Sequence, residues 1–158
     1  MKRTFRVIIC FFIIFFISCS SKDNISSVGL RARIWKEPLD VPKLLLEVNL
    51  TAARNFERVC YLEYELSYVN KDEIVVRGSS KVKEDNPYWV EGNTYPVFLE
   101  EIPLYNFKSY RSNNIWEMPD MEIFEKEIEY DSLKLALWLD GEYFYTFYFR
   151  EFQSAEKQ

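Results

Sequence analysis

Leu133-Lys134-Leu135-Ala136-Leu137-Trp138-Leu139-Asp140-Gly141-Glu142-Tyr143-Phe144-Tyr145-Thr146-Phe147-Tyr148-Phe149 reads as two strands joined by a two-residue turn. Leucine recurs at every second position from 133 to 139, the period of a strand with one buried face. Asp-Gly supplies two residues that tolerate positive φ, which the tightest hairpin turns require at both central positions. Pairing outward from that turn sets Leu139 opposite Glu142, Leu137 opposite Phe144, Leu135 opposite Thr146 and Leu133 opposite Tyr148. The other face then carries Trp138 opposite Tyr143, Ala136 opposite Tyr145 and Lys134 opposite Phe147. Both faces are rich in apolar side chains, which a hairpin solvated on one side does not show. Two readings follow. In one, the hairpin lies centrally, with its leucines in the main core and its aromatic face covered by a long loop or by the amino-terminal strand. In the other, Trp138, Tyr143, Tyr145 and Phe147 form a partly exposed platform for a partner protein or a glycan, because aromatic rings offer large contact area at low entropic cost.

Upstream, the same period of two repeats. Val28, Leu30, Ala32 and Ile34 alternate with Gly29, Arg31, Arg33 and Trp35. Leu44, Leu46, Val48 and Leu50 oppose Lys43, Glu47, Asn49 and Thr51, with Leu45 the one break. Cys60, Leu62, Tyr64, Leu66 and Tyr68 oppose Tyr61, Glu63, Glu65 and Ser67, and Asn70-Lys71-Asp72 follows as a turn. Ile74, Val76 and Val82 continue beyond it, and Gly78 reads as a bulge or bend. Tyr95 to Ile102 is a further strand, and Met121 to Tyr130 reads as another, with Phe124, Ile128 and Tyr130 set against Glu125, Glu127 and Glu129. Pro103 to Pro119 is the one long irregular connection, suited to a crossover between sheets.

About eight short strands without a long helix predict an all-β domain over residues 28–152, an antiparallel two-sheet sandwich. In general layout the pattern resembles immunoglobulin-like or fibronectin-type domains, although it has no cysteine pair. The alternative, an eight-stranded barrel, resembles lipocalins, but Arg33-Ile34-Trp35 stands where their glycine-x-tryptophan motif is expected. Residues 153–158 read as a polar tail.

The amino terminus has a different character. Lys2, Arg3 and Arg6 precede an apolar run from Val7 to Ile17. The run is eleven residues long, within the roughly 7 to 15 of a signal-peptide core and short of the roughly 20 that a membrane span needs. It ends in Phe16-Ile17-Ser18-Cys19, followed by the polar Ser20-Ser21-Lys22-Asp23-Asn24. This resembles the lipobox of bacterial lipoproteins over residues 1–19, with Phe16 in place of the commonest leucine. The resemblance implies removal of residues 1–18 as a signal peptide, diacylglycerol on the Cys19 thiol and, commonly, acylation of the new amine. It also implies a cell-envelope protein held on a membrane through Cys19. Ser20 is not the aspartate that retains such proteins at the inner membrane, so the outer membrane is favoured. Two or more acyl chains give stable anchoring where one gives marginal binding. Residues 19–27 then read as a lipidated tether, whose eight positions from Ser20, polar but for Ile25, extend to at most ~28 Å.

Without residues 1–18 the chain keeps 17 Lys plus Arg against 25 Asp plus Glu, a net of -8. Such a surface repels phosphates, so nucleic acid is not an expected partner and the membrane is met through lipid. Of three cysteines, Cys10 leaves with the signal and Cys19 takes lipid, so Cys60 has no disulfide partner and reads as a small buried residue on a strand. Histidine is absent, which removes the usual general base and the commonest transition-metal ligand. Glu100 and Glu101 are adjacent carboxylates, but neighbours on a strand point to opposite faces. No enzyme activity, cofactor or metal is therefore expected. The functional expectation is a non-enzymatic binding or scaffold lipoprotein, and the alternative is a carrier of a small apolar ligand.

Overall fold

A computed structural model describes residues 20–35, 41–71, 73–107, 126–127, 131–149 and 153–154. The expected signal peptide, Cys19, most of the 103–119 connection and the end of the tail lie outside the described residues. The described chain is mostly strand: β1 Ile25–Trp35, β2 Lys43–Ala52, β3 Phe56–Glu57, β4 Cys60–Tyr68, β5 Ile74–Val82, β6 Tyr88–Trp89, β7 Thr94–Pro103, β8 Leu133–Leu139, β9 Glu142–Phe149 and β10 Gln153–Ser154.

These make two four-stranded sheets, ordered β10-β1-β2-β7 and β5-β4-β8-β9, with β3 and β6 as a small separate ribbon. Pairing is antiparallel throughout except for the short parallel contact of β10 with β1. The sheets remain open and do not close into a barrel, which sets aside the lipocalin-like alternative. The period-two leucines explain the arrangement. Leu44, Leu46, Val48 and Leu50 of one sheet and Leu62, Leu66, Leu133, Leu135 and Leu137 of the other are wholly buried in one shared core. Each such side chain contributes about 1.5–3 kcal/mol on leaving water. No cross-link among the described residues supplements them, and Cys60 is free and buried.

The turn at Asp140-Gly141 is as the sequence predicts, with φ of 51° and 81°. The register beyond it is not. Trp138 pairs with Tyr143 as expected, but a bulge then inserts one residue into β9, so that Leu137 pairs with Tyr145, Leu135 with Phe147 and Leu133 with Phe149. Without the bulge, Thr146 and Tyr148 would face the leucines and Phe147 would face solvent. A one-residue slip exchanges the two faces of a strand. Here it brings Phe147 and Phe149 against the core in place of two hydroxyl-bearing side chains.

Gly78 is neither a bulge nor a bend, since the register shift on that strand pair lies between Leu66 and Ser67. A Cβ at Gly78 would stand 2.5 Å from the Tyr64 hydroxyl oxygen and 2.7 Å from the ring carbon bearing it. Glycine is present because the Tyr64 side chain lies across it. The hydroxyl continues to the edge of the opposite sheet, where it donates to the Leu99 carbonyl at 3.2 Å and to the Glu100 carboxylate. Ser80 adds a bond to the Phe98 carbonyl at 3.4 Å, so β5 and β7 are stitched across the gap between sheets.

Three other expectations are corrected. Residues 20–24 are not a loose tether: Ser21–Asn24 form a 3-10 turn in which Ser21 and Asn24 are buried, and β1 begins at Ile25 rather than Val28. Within 121–130, expected as a strand, the described residues Lys126 and Glu127 are helical, and Glu127 accepts a hydrogen bond from the buried Tyr68 hydroxyl. Gln153 and Ser154, expected in the tail, pair with Arg33 and Ile34 and so belong to the first sheet.

Candidate functional site

The outer face of the β5-β4-β8-β9 sheet follows from its pairings. Glu63 stands opposite both Ser79 and Trp138, and Glu65 opposite both Arg77 and Ala136. An open trough of about 510 Å³ runs here, lined by Glu63, Glu65, Arg77, Ser79 and Trp138, with Tyr64, Gly78 and Gly141 beside them. The Arg77 guanidinium donates to the Glu65 carboxylate at 3.1 Å. At the hairpin end the rings of Trp138 and Tyr143 meet edge to face, 6.4 Å apart and inclined by 76°. The Tyr143 hydroxyl donates to Thr146 Oγ1 at 3.1 Å, which fixes the ring's outer edge.

The bulge divides the four aromatic residues picked out from the sequence. Trp138 is half-buried on the outer face beside Tyr143, which is 58% exposed. Tyr145 and Phe147 follow the leucine register, and their rings lie 4.7 Å apart. Tyr145 is still 46% exposed, whereas Phe147 packs on the core. Tyr148, which the straight register would turn inward, is 69% exposed. The outer surface is therefore Trp138, Tyr143 and Tyr148 with the Glu65–Arg77 pair, rather than a row of four rings. Sequence reasoning missed Glu63, Glu65 and Arg77. Their alternation marks one face of β4 and β5, but only the pairing with β8 brings that face to Trp138.

Aromatic faces, a carboxylate and a paired guanidinium suit stacking and hydrogen bonding to a polar partner. Among the described residues no group of three or more His, Cys, Asp or Glu could hold a metal ion. Glu100 and Glu101 diverge: Glu100 accepts from Tyr64, and Glu101 lies 3.5 Å from the Lys43 ammonium. The Cys60 thiol is wholly buried, and its pKa is pushed up to about 11 by burial first and then by the charge of Asp140, against the opposing effects of Arg58 and Ser21. A thiol so held stays protonated at neutral pH and is a poor nucleophile. The Tyr64 hydroxyl is likewise raised above the ordinary tyrosine value, by burial and by its bond to Glu100.

Compared with protein-family models, with curated proteins and with solved structures, the chain matches none. Among the described residues no helix is long and apolar enough to cross a membrane.

Proposed function

We propose that this chain is a lipid-anchored lipoprotein of the cell envelope, outer membrane favoured, whose domain works by binding a protein or glycan and not by catalysis. The anchor rests on the sequence ending at Cys19. The binding role rests on one observation above the rest: the edge-to-face pair of half-buried Trp138 and exposed Tyr143 at the head of the Glu63–Arg77 trough. Solvated strand faces are normally polar, and aromatic rings left on one favour a contact surface.

The strand order supports an immunoglobulin-like domain. In chain order the seven long strands divide as first, second and fifth against third, fourth, sixth and seventh. That is the division of an immunoglobulin-like sandwich in which the fourth strand pairs with the third. Such domains commonly present a sheet face or an end loop cluster to partners. The carrier reading is less favoured, because the space between the sheets is occupied by wholly buried leucines.

The test is capture from envelope extracts by the immobilised protein, compared with Trp138→Ser/Tyr143→Ser. Both residues are outside the core cluster, so far-ultraviolet circular dichroism should be unchanged. The reading predicts one protein or glycan species retained by the parent and lost from the variant. Identical retention by both, or none by either, contradicts it.

A further inference from the structure

Ser20–Asn24 is fastened to one end of the sandwich. The Ser20 hydroxyl donates to Glu142, the Ser21 hydroxyl to Asp140 and Arg54 Nε to the Asn24 side-chain oxygen, while Ala53 N–H donates to the Asn24 carbonyl at 2.7 Å. Asp140 in turn accepts from Tyr61 N–H at 2.8 Å and pairs with Arg58 at 3.2 Å. Cys19 precedes this clasp by a single peptide unit, about 3.8 Å between Cα atoms. A lipid on Cys19 would therefore draw this end to the bilayer, not let the domain roam at the end of a long leash.

The same end carries an apolar groove. Ala53 and Arg54 lead directly into β3, which pairs with β6, and Phe56, Tyr88, Trp89 and Val90 line an open space of about 480 Å³ with Asn55 and Glu57. Phe56 stacks on Trp89 at 4.9 Å, and Trp89 is locked by its indole N–H bond to the Arg58 carbonyl at 2.9 Å. Outside that rigid floor, Tyr88 is 60% and Val90 49% exposed. Tyrosine beside an apolar side chain suits the headgroup boundary, where one end of the ring is wet and the other apolar. Glu57 within the ribbon and Glu84, Asp85 and Glu91 beside it outnumber the neighbouring cations Arg54, Arg58 and Lys83, so attraction to anionic headgroups is not the driving force.

We propose that this ribbon end is a second, non-covalent contact with the lipid surface, seating Tyr88 and Val90 in the bilayer interface and leaving the Trp138–Tyr143 sheet face presented sideways. The proposal rests on lipidation of Cys19. It is tested on the acylated protein extracted from membranes, carrying Cys60→Ala and a single spin label at Val90→Cys or, at the opposite end, Lys71→Cys. The proteins are placed in zwitterionic phosphatidylcholine vesicles, and Tyr88→Cys gives a second label site on the groove should Val90→Cys fail to fold. The expected result is loss of collision with an aqueous relaxant, and gain of collision with oxygen, at the groove label but not at Lys71. Acylated protein with both labels equally open to the aqueous relaxant overturns this contact alone. Absence of acyl groups from Cys19, read by mass spectrometry of the same sample, overturns the lipoprotein reading and the contact with it.

Discussion

Replacing Asp140 tests how the clasp and the hairpin depend on one side chain. Its carboxylate accepts the Tyr61 N–H at 2.8 Å, the buried Ser21 hydroxyl and the Arg58 guanidinium at 3.2 Å, and its backbone sits at φ 51°. A hydrogen bond to a charged group contributes roughly 1.5–3 kcal/mol, and here the half-exposed Arg58 adds little because water screens it. Placing alanine in the left-handed region costs about 1–2 kcal/mol more, a cost that aspartate largely avoids and glycine escapes. Asp140→Ala should therefore destabilise by roughly 4 kcal/mol, Asp140→Gly by roughly 3 and Asp140→Asn, which keeps an acceptor and tolerates this φ, by roughly 1. Urea unfolding followed by tryptophan fluorescence measures the order. Limited trypsin digestion supplies an independent readout, because release of the clasp exposes the bond after Lys22 before the domain unfolds. If Asp140→Ala and Asp140→Asn unfold alike, or if cleavage after Lys22 merely tracks global stability, the reasoning fails.

Two further predictions address the core. Phe147→Ala should cost roughly 2 kcal/mol, because the ring packs half-buried on the leucines, whereas Tyr148→Ala should stay within about 0.5 kcal/mol; the straight hairpin register predicts the reverse, and thermal unfolding of the pair decides. For Cys60 the fold raises the thiol pKa from 9.0 to about 11, so its stabilising effect is complete below pH 9 and is lost as pH rises through 11. The parent should lose about 3 kcal/mol relative to Cys60→Ala across that window, measured by urea unfolding at each pH, and a constant difference would refute the assignment.

The all-β class was legible because alternation of leucine with polar residues is a local signal, read along one strand at a time. Leu44 to Leu50 and Leu133 to Leu139 carry it with little noise, and the alternating apolar side chains of both are buried in the core. Asp140-Gly141 was legible for a similar reason: the demand for positive φ is met by the residues themselves. The bulge in β9 was not. It is decided by competition between two registers, and its driving force is the exchange of Thr146 and Tyr148 for Phe147 and Phe149 against strands far away in sequence.

Gly78 was misread on the same ground. Its role depends on Tyr64, opposite it on a neighbouring strand, and nothing within a few residues of Gly78 reports that. The tether was misread because polarity was taken for exposure. Ser21 and Asn24 are buried with hydrogen-bond partners from the hairpin turn and from Arg54, which a short polar run cannot reveal. Of the proposed binding surface, Trp138 and Tyr143 were visible as unexpected aromatics, while the acidic and guanidinium half came from strands whose pairing is non-local.

The most direct test of the central claim is intact-mass and peptide mass spectrometry of the protein extracted from bacterial membranes. The account predicts a chain that begins at Cys19, with a diacylglycerol on the thiol and commonly an acyl group on the new amine. A mature chain that begins elsewhere, or one with an unmodified Cys19 thiol, would contradict it.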